Sequence, residues 1–203
     1  MLCVHQREIA RLVHVQMQEH YWEDKVDYEV VVKKGFSELK SRAFIRVAGE
    51  AVLDHRHVPT DKSKIGQYNF GGFERSLYPE EKFASDPERR LAVILDREAK
   101  RWFRPARGQF RIYYRWRGDH PEYQPDFVAE TEDTIYMMEP KARNEMDDPQ
   151  IGAKSDVAVE WCKNASKIAA RHGGKQWKYL LIPHDAISEN MTIVGLAERY
   201  GVI

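Results

Sequence analysis

The run Trp177-Lys178-Tyr179-Leu180-Leu181-Ile182 constrains this chain more than any other feature, because a near-continuous apolar strand needs cover on both of its faces. Pro183 stops it. A long helix leads into it: Asp148-Pro149 supplies a cap and a first-turn proline, and Gly173-Gly174 ends the helix. Between them Ile151, Ala158, Trp161, Cys162, Ala165, Ile168 and Ala169 mark a core-facing stripe.

The elements upstream give that strand its sheet. Ser85-Asp86-Pro87-Glu88 pairs a capping serine with a glutamate three residues on and a proline in the first turn, which predicts a helix running to about Lys100. Arg104-Pro105 and Gly108 break the pattern. Gln109 to Arg115 alternates Phe110, Ile112 and Tyr114 against Arg111, Tyr113 and Arg115 and predicts a strand, followed by a turn at Gly118-Asp119-His120-Pro121. Tyr123 to Glu130 and Thr134 to Lys141 predict two more, so three consecutive strands point to an antiparallel meander. Ser188 to Tyr200 predicts a closing helix. The expected class is α/β, in the α+β sense of a mixed sheet, with the order helix, three strands, helix, strand.

The first part of the chain is less regular. Ile9, Leu12, Val13, Met17 and Tyr21 recur at helical spacing and predict an amphipathic helix over Val4 to Trp22, and Tyr28 to Val32 predicts a short strand. Residues 34 to 80, with Gly66, Gly71 and Gly72, carry little periodicity, which is unusual for so long a segment of a compact domain. The division expected is therefore an accessory segment over 1–80, wrapped around the later core or serving a larger interface, and a main domain over 81–203.

At 203 residues, 42% hydrophobic and 32% charged, the composition is that of a globular domain rather than a disordered tail. The longest apolar runs, such as Lys178 to Pro183, fall far short of the roughly 20 residues that span a bilayer. The opening MLCVHQREIA lacks a signal peptide's apolar stretch, and Cys3 and Cys162 do not make a disulfide framework. A cytoplasmic protein with no membrane partner is expected. Net charge is zero, which argues against binding nucleic acid by bulk charge, yet the charge is polarised. Arg89 to Arg117 holds ten Lys and Arg against two acids, and Gly118 to Pro149 ten acids against two bases. A basic stretch followed by an acidic one suits a site that grips phosphates and concentrates a cation.

The chemistry follows from the strand period. Glu139 and Lys141 are two apart and share a face, and Asp126 lies on the neighbouring predicted strand, so a modest register match brings two carboxylates to one cation. Hard divalent ions take oxygen ligands and keep several waters, which points to Mg2+, with Mn2+ as a substitute. A lysine beside them can hold or deprotonate the attacking water and offset charge on the phosphorus centre. Pro140 forfeits a ladder N–H but keeps a carbonyl that is available as a further metal ligand.

These residues carry a resemblance. Tyr123-Gln124-Pro125-Asp126-Phe127 and Glu139-Pro140-Lys141-Ala142-Arg143, set within the run from Phe83 through Trp161-Cys162 to Tyr179-Leu180-Leu181-Ile182-Pro183-His184, resemble the PD-(D/E)XK nuclease superfamily. Within it they are similar to the C-terminal endonuclease region of type III restriction enzyme restriction subunits. The resemblance covers about 120 residues, and the upstream part more loosely as a helicase-to-nuclease connector. It implies a restriction-endonuclease-like αβββαβ core, Mg2+ held by Asp126 and Glu139, and Lys141 assisting the water. An acid on the preceding helix is also implied, a position that Glu88 matches; Glu88 is equally the partner of Ser85 in a capping box. Arg111, Arg115 and Arg117, on the polar side of the first predicted strand and its turn, are the candidates for contact with duplex DNA.

The chain departs from the family in having no G-x-x-x-x-G-K-[ST] loop, so no ATP site is expected in it. The resemblance implies that a helicase motor and a modification methyltransferase subunit are partners, and it leaves homodimerisation open. Two rival readings stand beside the restriction nuclease: a non-catalytic DNA-binding or subunit-docking remnant, and a nuclease of repair or branched DNA. Asp54-His55-Arg56-His57 is a weak metal pattern without matching cysteines. His172 and His184 read as helix-end or turn residues, Lys154 as part of a solvated helix face that meets phosphate only if that face points inward, and Trp102 and Trp116 as packing.

Overall fold

A computed structural model describes residues 6–20, 38–41 and 51–202. The chain is a mixed α/β structure built on a mixed sheet. Helix α1 (Gln6–His20) falls within the expected first helix, and its Ile9, Leu12, Val13 and Met17 are exposed. The strand expected at Tyr28 to Val32 and Cys3 lie outside the described residues.

The central element is a five-stranded sheet in the order β3-β6-β7-β8-β9. Its strands are β3 (Arg101–Phe103), β6 (Phe127–Glu130), β7 (Thr134–Lys141), β8 (Gln176–Pro183) and β9 (Gly201–Val202). β6 runs antiparallel to its neighbours β3 and β7, β8 runs parallel to β7, and β9 closes antiparallel on β8. The parallel step requires a crossover, and helix α3 (Pro149–Arg171) supplies it, capped by the Asp148 carboxylate on the Gln150 N–H at 2.7 Å. Helix α2 (Asp86–Glu98) begins as its sequence requires, with Ser85 as N-cap and Pro87 in the first turn.

Each face of the sheet has its own core, as the doubly apolar β8 demands. On one face Leu91, Ala92, Ile94 and Leu95 of α2 and Ile193 and Leu196 of α4 (Ile193–Tyr200) pack with Phe127, Ala129, Met138, Leu180 and Ile182. On the other, Ala158 and Cys162 of α3 meet Met137, Tyr179, Ile112, Tyr114 and Tyr123. Trp102 lies in the first core and Trp116 against the second, so both tryptophans pack as expected. Burial pushes the Cys162 thiol up to about 12, so it is a packing residue.

Three expectations need correction. Gln109 to Arg115 is not a strand of the meander: only Ile112–Tyr113 is extended (β4), and it pairs with Glu122–Tyr123 (β5) in a separate two-stranded hairpin. Arg111 has φ +53°, a left-handed conformation that an extended strand cannot contain. The alternation still reports burial, with Ile112 and Tyr114 inside and Tyr113 exposed. The first strand of the sheet is instead β3, three residues that begin just after α2. Tyr123 to Glu130 is likewise two strands, β5 and β6, divided by Gln124-Pro125-Asp126. The last helix starts at Ile193 with Thr192 as N-cap, and Ser188 to Met191 forms a turn before it.

Residues 51–83 wrap onto the main core. β1 (Leu53–Asp54) pairs with β2 (Phe70–Gly71), and Ile65, Phe70 and Phe83 join the cluster beneath α2. Arg75 to Leu77 runs along β3, with the Trp102 N–H donating to the Arg75 carbonyl and the Leu77 N–H to the Trp102 carbonyl, which covers that edge of the sheet. The Asp96 carboxylate joins the two regions by accepting from the Glu74 and Arg75 N–H groups and from Trp102 Nε1. Among the described residues no helix is long and apolar enough to cross a membrane.

Candidate active site

The hairpin of β6 and β7 sets the geometry. Its last pair is Phe127↔Met138. Asp126 is the residue before Phe127 and Glu139 the residue after Met138, so the same register continued by one step places the two acids opposite each other. Strand alternation sends Tyr136 and Met138 to the α2 face and Met137, Glu139 and Lys141 to the α3 face.

Lys141 joins the pair. Its Nζ lies 2.9 Å from Glu139 Oε1 and 3.9 Å from Asp126 Oδ2. The Glu139 residue is only 4% exposed, and its second oxygen accepts from the Tyr123 hydroxyl at 3.2 Å. The Asp126 side chain opens to solvent over 28% of its surface. Desolvation and then the neighbouring Glu139 charge raise Asp126 to about 7, against the pull of Arg104 and Lys141. For Lys141 desolvation acts downward, but Glu139 and Asp126 outweigh it and leave the ammonium above its ordinary value. Burial, reinforced by the Glu139 charge, holds the Tyr123 hydroxyl far above its usual range and raises Tyr179 also, so both remain neutral donors.

Arg104 is the part of the site that sequence reading missed. It bridges α2 and Asp126: Nη2 is 2.9 Å from Glu88 Oε2 and 3.7 Å from Asp126 Oδ1, and Nε donates to the Asp126 carbonyl at 3.3 Å. Nothing in its spacing announces this, since Arg104 precedes Pro105 and stands 22 residues before Asp126. Glu88 caps the helix start, and its contact toward the site is with Arg104. Its carboxylate accepts from the Ser85 hydroxyl at 3.1 Å and the Ala84 N–H at 3.2 Å, which is capping, and it reaches Asp126 through Arg104.

The donor set suits a hard cation. Asp126 and Glu139 offer carboxylate oxygens, one of them solvent-facing, and Mg2+ is commonly held by one or two carboxylates with water and phosphate completing its shell. Among the described residues no group of three or more His, Cys, Asp or Glu forms a metal cluster. Pro140 pairs with Ile182 in the parallel ladder, while β6 has already stopped at Phe127, so its missing N–H costs little on the β6 side.

The three arginines lie on the β4–β5 hairpin, which reaches the site through Tyr123. Arg111 and Arg117 are exposed and Arg115 is half-buried. Arg117 has φ +50° and Gly118 φ +82°, and Trp116 and Asp119 exchange N–H···O bonds at 2.9 and 3.0 Å across them, a type I′ turn. Lys154 Nζ lies 5.8 Å from the Tyr114 ring centre, on the same side of the sheet. The histidine pattern at 54–57 is structural: His55 is buried, with Nδ1 3.1 Å from the Gly71 carbonyl and Nε2 3.6 Å from Asp96, and Asp54 pairs with Arg56. His172 caps α3, and His184 begins a short 3-10 turn after β8. Compared with protein-family models, curated proteins and solved structures, the chain matches none.

Proposed function

We propose that this chain is a metal-dependent deoxyribonuclease module, a phosphodiester hydrolase of duplex DNA with a restriction-endonuclease-like core. One observation carries the reading: a single ammonium, Lys141 Nζ, lies 2.9 Å from the Glu139 carboxylate and 3.9 Å from that of Asp126 at the open end of the β6–β7 hairpin. Asp126 and Glu139 would hold Mg2+ or Mn2+, with the Pro140 carbonyl as a further ligand. When bound, the ion supplies Lewis-acid charge and lowers the pKa of coordinated water.

The chain's own residues do the rest. Asp126 must be ionised to act as a ligand, so its raised pKa makes cation binding improve with pH up to about 7. Lys141 orients the attacking water and offsets charge as the new P–O bond forms and the bond to the leaving oxygen breaks. Tyr123 holds the Glu139 carboxylate in place. Arg111, Arg115 and Arg117 grip the DNA backbone beside the site, and counterion release makes that grip weaken with salt. A helicase motor and a modification methyltransferase subunit belong to this reading as partners, in the cytoplasm, with ATP hydrolysed by the motor.

Plasmid nicking with Mg2+ tests it. Lys141→Ala should lower the cleavage rate by about 10²–10³-fold, the loss typical of removing one group that stabilises the transition state. Ca2+ should support DNA binding without cutting. Wild type and Lys141→Ala equally inert at high protein concentration would sink the catalytic reading in favour of a binding remnant. Faster cutting of branched than of linear duplex would move it to repair.

A further inference from the structure

We propose that Arg104 is a positioning residue of the acid pair, a fixed strut that connects the capped start of α2 to Asp126 and sets that carboxylate opposite Glu139. The inference rests on the hydrolytic reading and deepens it. Arg104 directly follows β3, and its guanidinium is held from several sides. Nε donates to the Asp126 carbonyl, Nη1 to the Lys82 carbonyl, and Nη2 pairs with Glu88. Phe83 and Phe127 place their ring centres 5.5 and 5.0 Å from its Cζ.

Glu88 lies 2.9 Å from the guanidinium, while the Asp126 carboxylate stays at 3.7 Å. A guanidinium whose part was only to neutralise Asp126 would close on that carboxylate as a fork. This one hydrogen-bonds the Asp126 main chain at 3.3 Å and stands off the carboxylate at 3.7 Å, an ion-pair distance without a fork. The contact matters at that residue because β6 begins only at Phe127, and Pro125 on the other side has no N–H to pair. Glu88, fixed by Ser85 and Ala84, anchors the far end of the strut. Its part is to hold Arg104 rather than to touch an ion.

The two roles of Arg104 separate in the charge-conserving variant. Positioning requires the fork, so Arg104→Lys, which keeps the charge, and Arg104→Met, which loses it, should both weaken Mn2+ binding by about 10- to 100-fold, as loss of a ligand-orienting partner does. Neutralisation alone predicts near-wild-type affinity in Arg104→Lys and a changed affinity only in Arg104→Met. Titration of free Mn2+ by electron paramagnetic resonance reads the affinity without catalysis, and thermal unfolding of each variant shows that the fold persists. If Arg104→Met does not fold, Arg104→Lys decides. Wild-type affinity in the lysine variant, or tighter binding in the methionine variant, overturns the strut alone. Failure of the wild type to bind Mn2+ overturns the strut and the hydrolytic reading together.

Discussion

The two faces of the sheet are built differently. Under α2 and α4 the cover is hydrocarbon: Leu91, Ile94, Leu95, Ile193 and Leu196 close over Phe127, Met138, Leu180 and Ile182. Under α3, the longest helix at 23 residues, only Ile151, Ser155, Ala158 and Cys162 are buried, and Tyr114, Tyr123 and Tyr179 fill much of the remaining space. Hydroxyl-bearing rings provide a polar handle where aliphatic side chains do not. The face with the thinner apolar cover therefore holds Glu139, and the dense face supplies rigidity. The site sits where packing yields to hydrogen bonding.

Truncation on the dense face should break the fold first. Leu95→Ala should cost about 2–5 kcal/mol in urea denaturation, because a packed core relaxes little around the cavity. Ile168→Ala, at a half-buried α3 position, should cost less than about 1 kcal/mol. Equal costs at the two sites would erase the contrast between the faces.

Asp126→Asn sharpens the same contrast through pH. The folded carboxyl keeps its proton to about pH 7, whereas the ordinary value is 3.8. An acid raised on folding binds more protons in the native state, so stability falls as pH rises from about 4 to 7 and stays lower above. The asparagine variant lacks this decline and should be more stable than wild type at pH 8 by roughly 1–2 kcal/mol, while losing Mg2+-dependent cleavage. A variant that is no more stable at pH 8 would show that burial and Glu139 do not raise the Asp126 carboxyl against the pull of Arg104 and Lys141.

Smaller effects test individual contacts. Trp102→Phe removes the indole N–H that donates to Asp96 at 2.9 Å and should cost about 1–2 kcal/mol by thermal unfolding. Arg117→Gly should stabilise the chain by up to about 1 kcal/mol, since glycine takes the left-handed backbone without a Cβ clash. The same substitution should reduce the salt dependence of DNA binding by about one counterion. An unchanged salt slope would remove Arg117 from the DNA surface.

What was legible in the sequence is what local chemistry dictates. Ser85 with Pro87, and Asp148 with Pro149, mark the starts of α2 and α3, and the apolar run before Pro183 marks a strand covered on both sides. Asp126, Glu139 and Lys141 were legible as a group because two lie in one strand and the third is one hairpin away. The contribution of Arg104 was not, for its guanidinium is placed by Phe83, Glu88 and Phe127, which only the fold brings around it. β3 is too short to show alternation, and Arg111 and Arg117 conceal their left-handed backbone behind an otherwise regular strand pattern. His55 read only as part of a weak metal pattern because its partner, Asp96, belongs to α2.

The tight turn between β6 and β7 has a kinetic consequence. Asp126, Glu139 and Lys141 belong to one hairpin, and such units zip up in about 1–10 μs. β8 lies beyond the whole of α3 and joins through a longer excursion that contact order makes slow. Pulse-labelled hydrogen exchange that protects β8 before the β6–β7 hairpin would refute this order. On those rates the acids and their lysine are expected to meet while water still bathes both sides of the ribbon, where like charges repel weakly. Their confinement comes afterwards, so a growing polypeptide can assemble its reactive end before it has a finished interior.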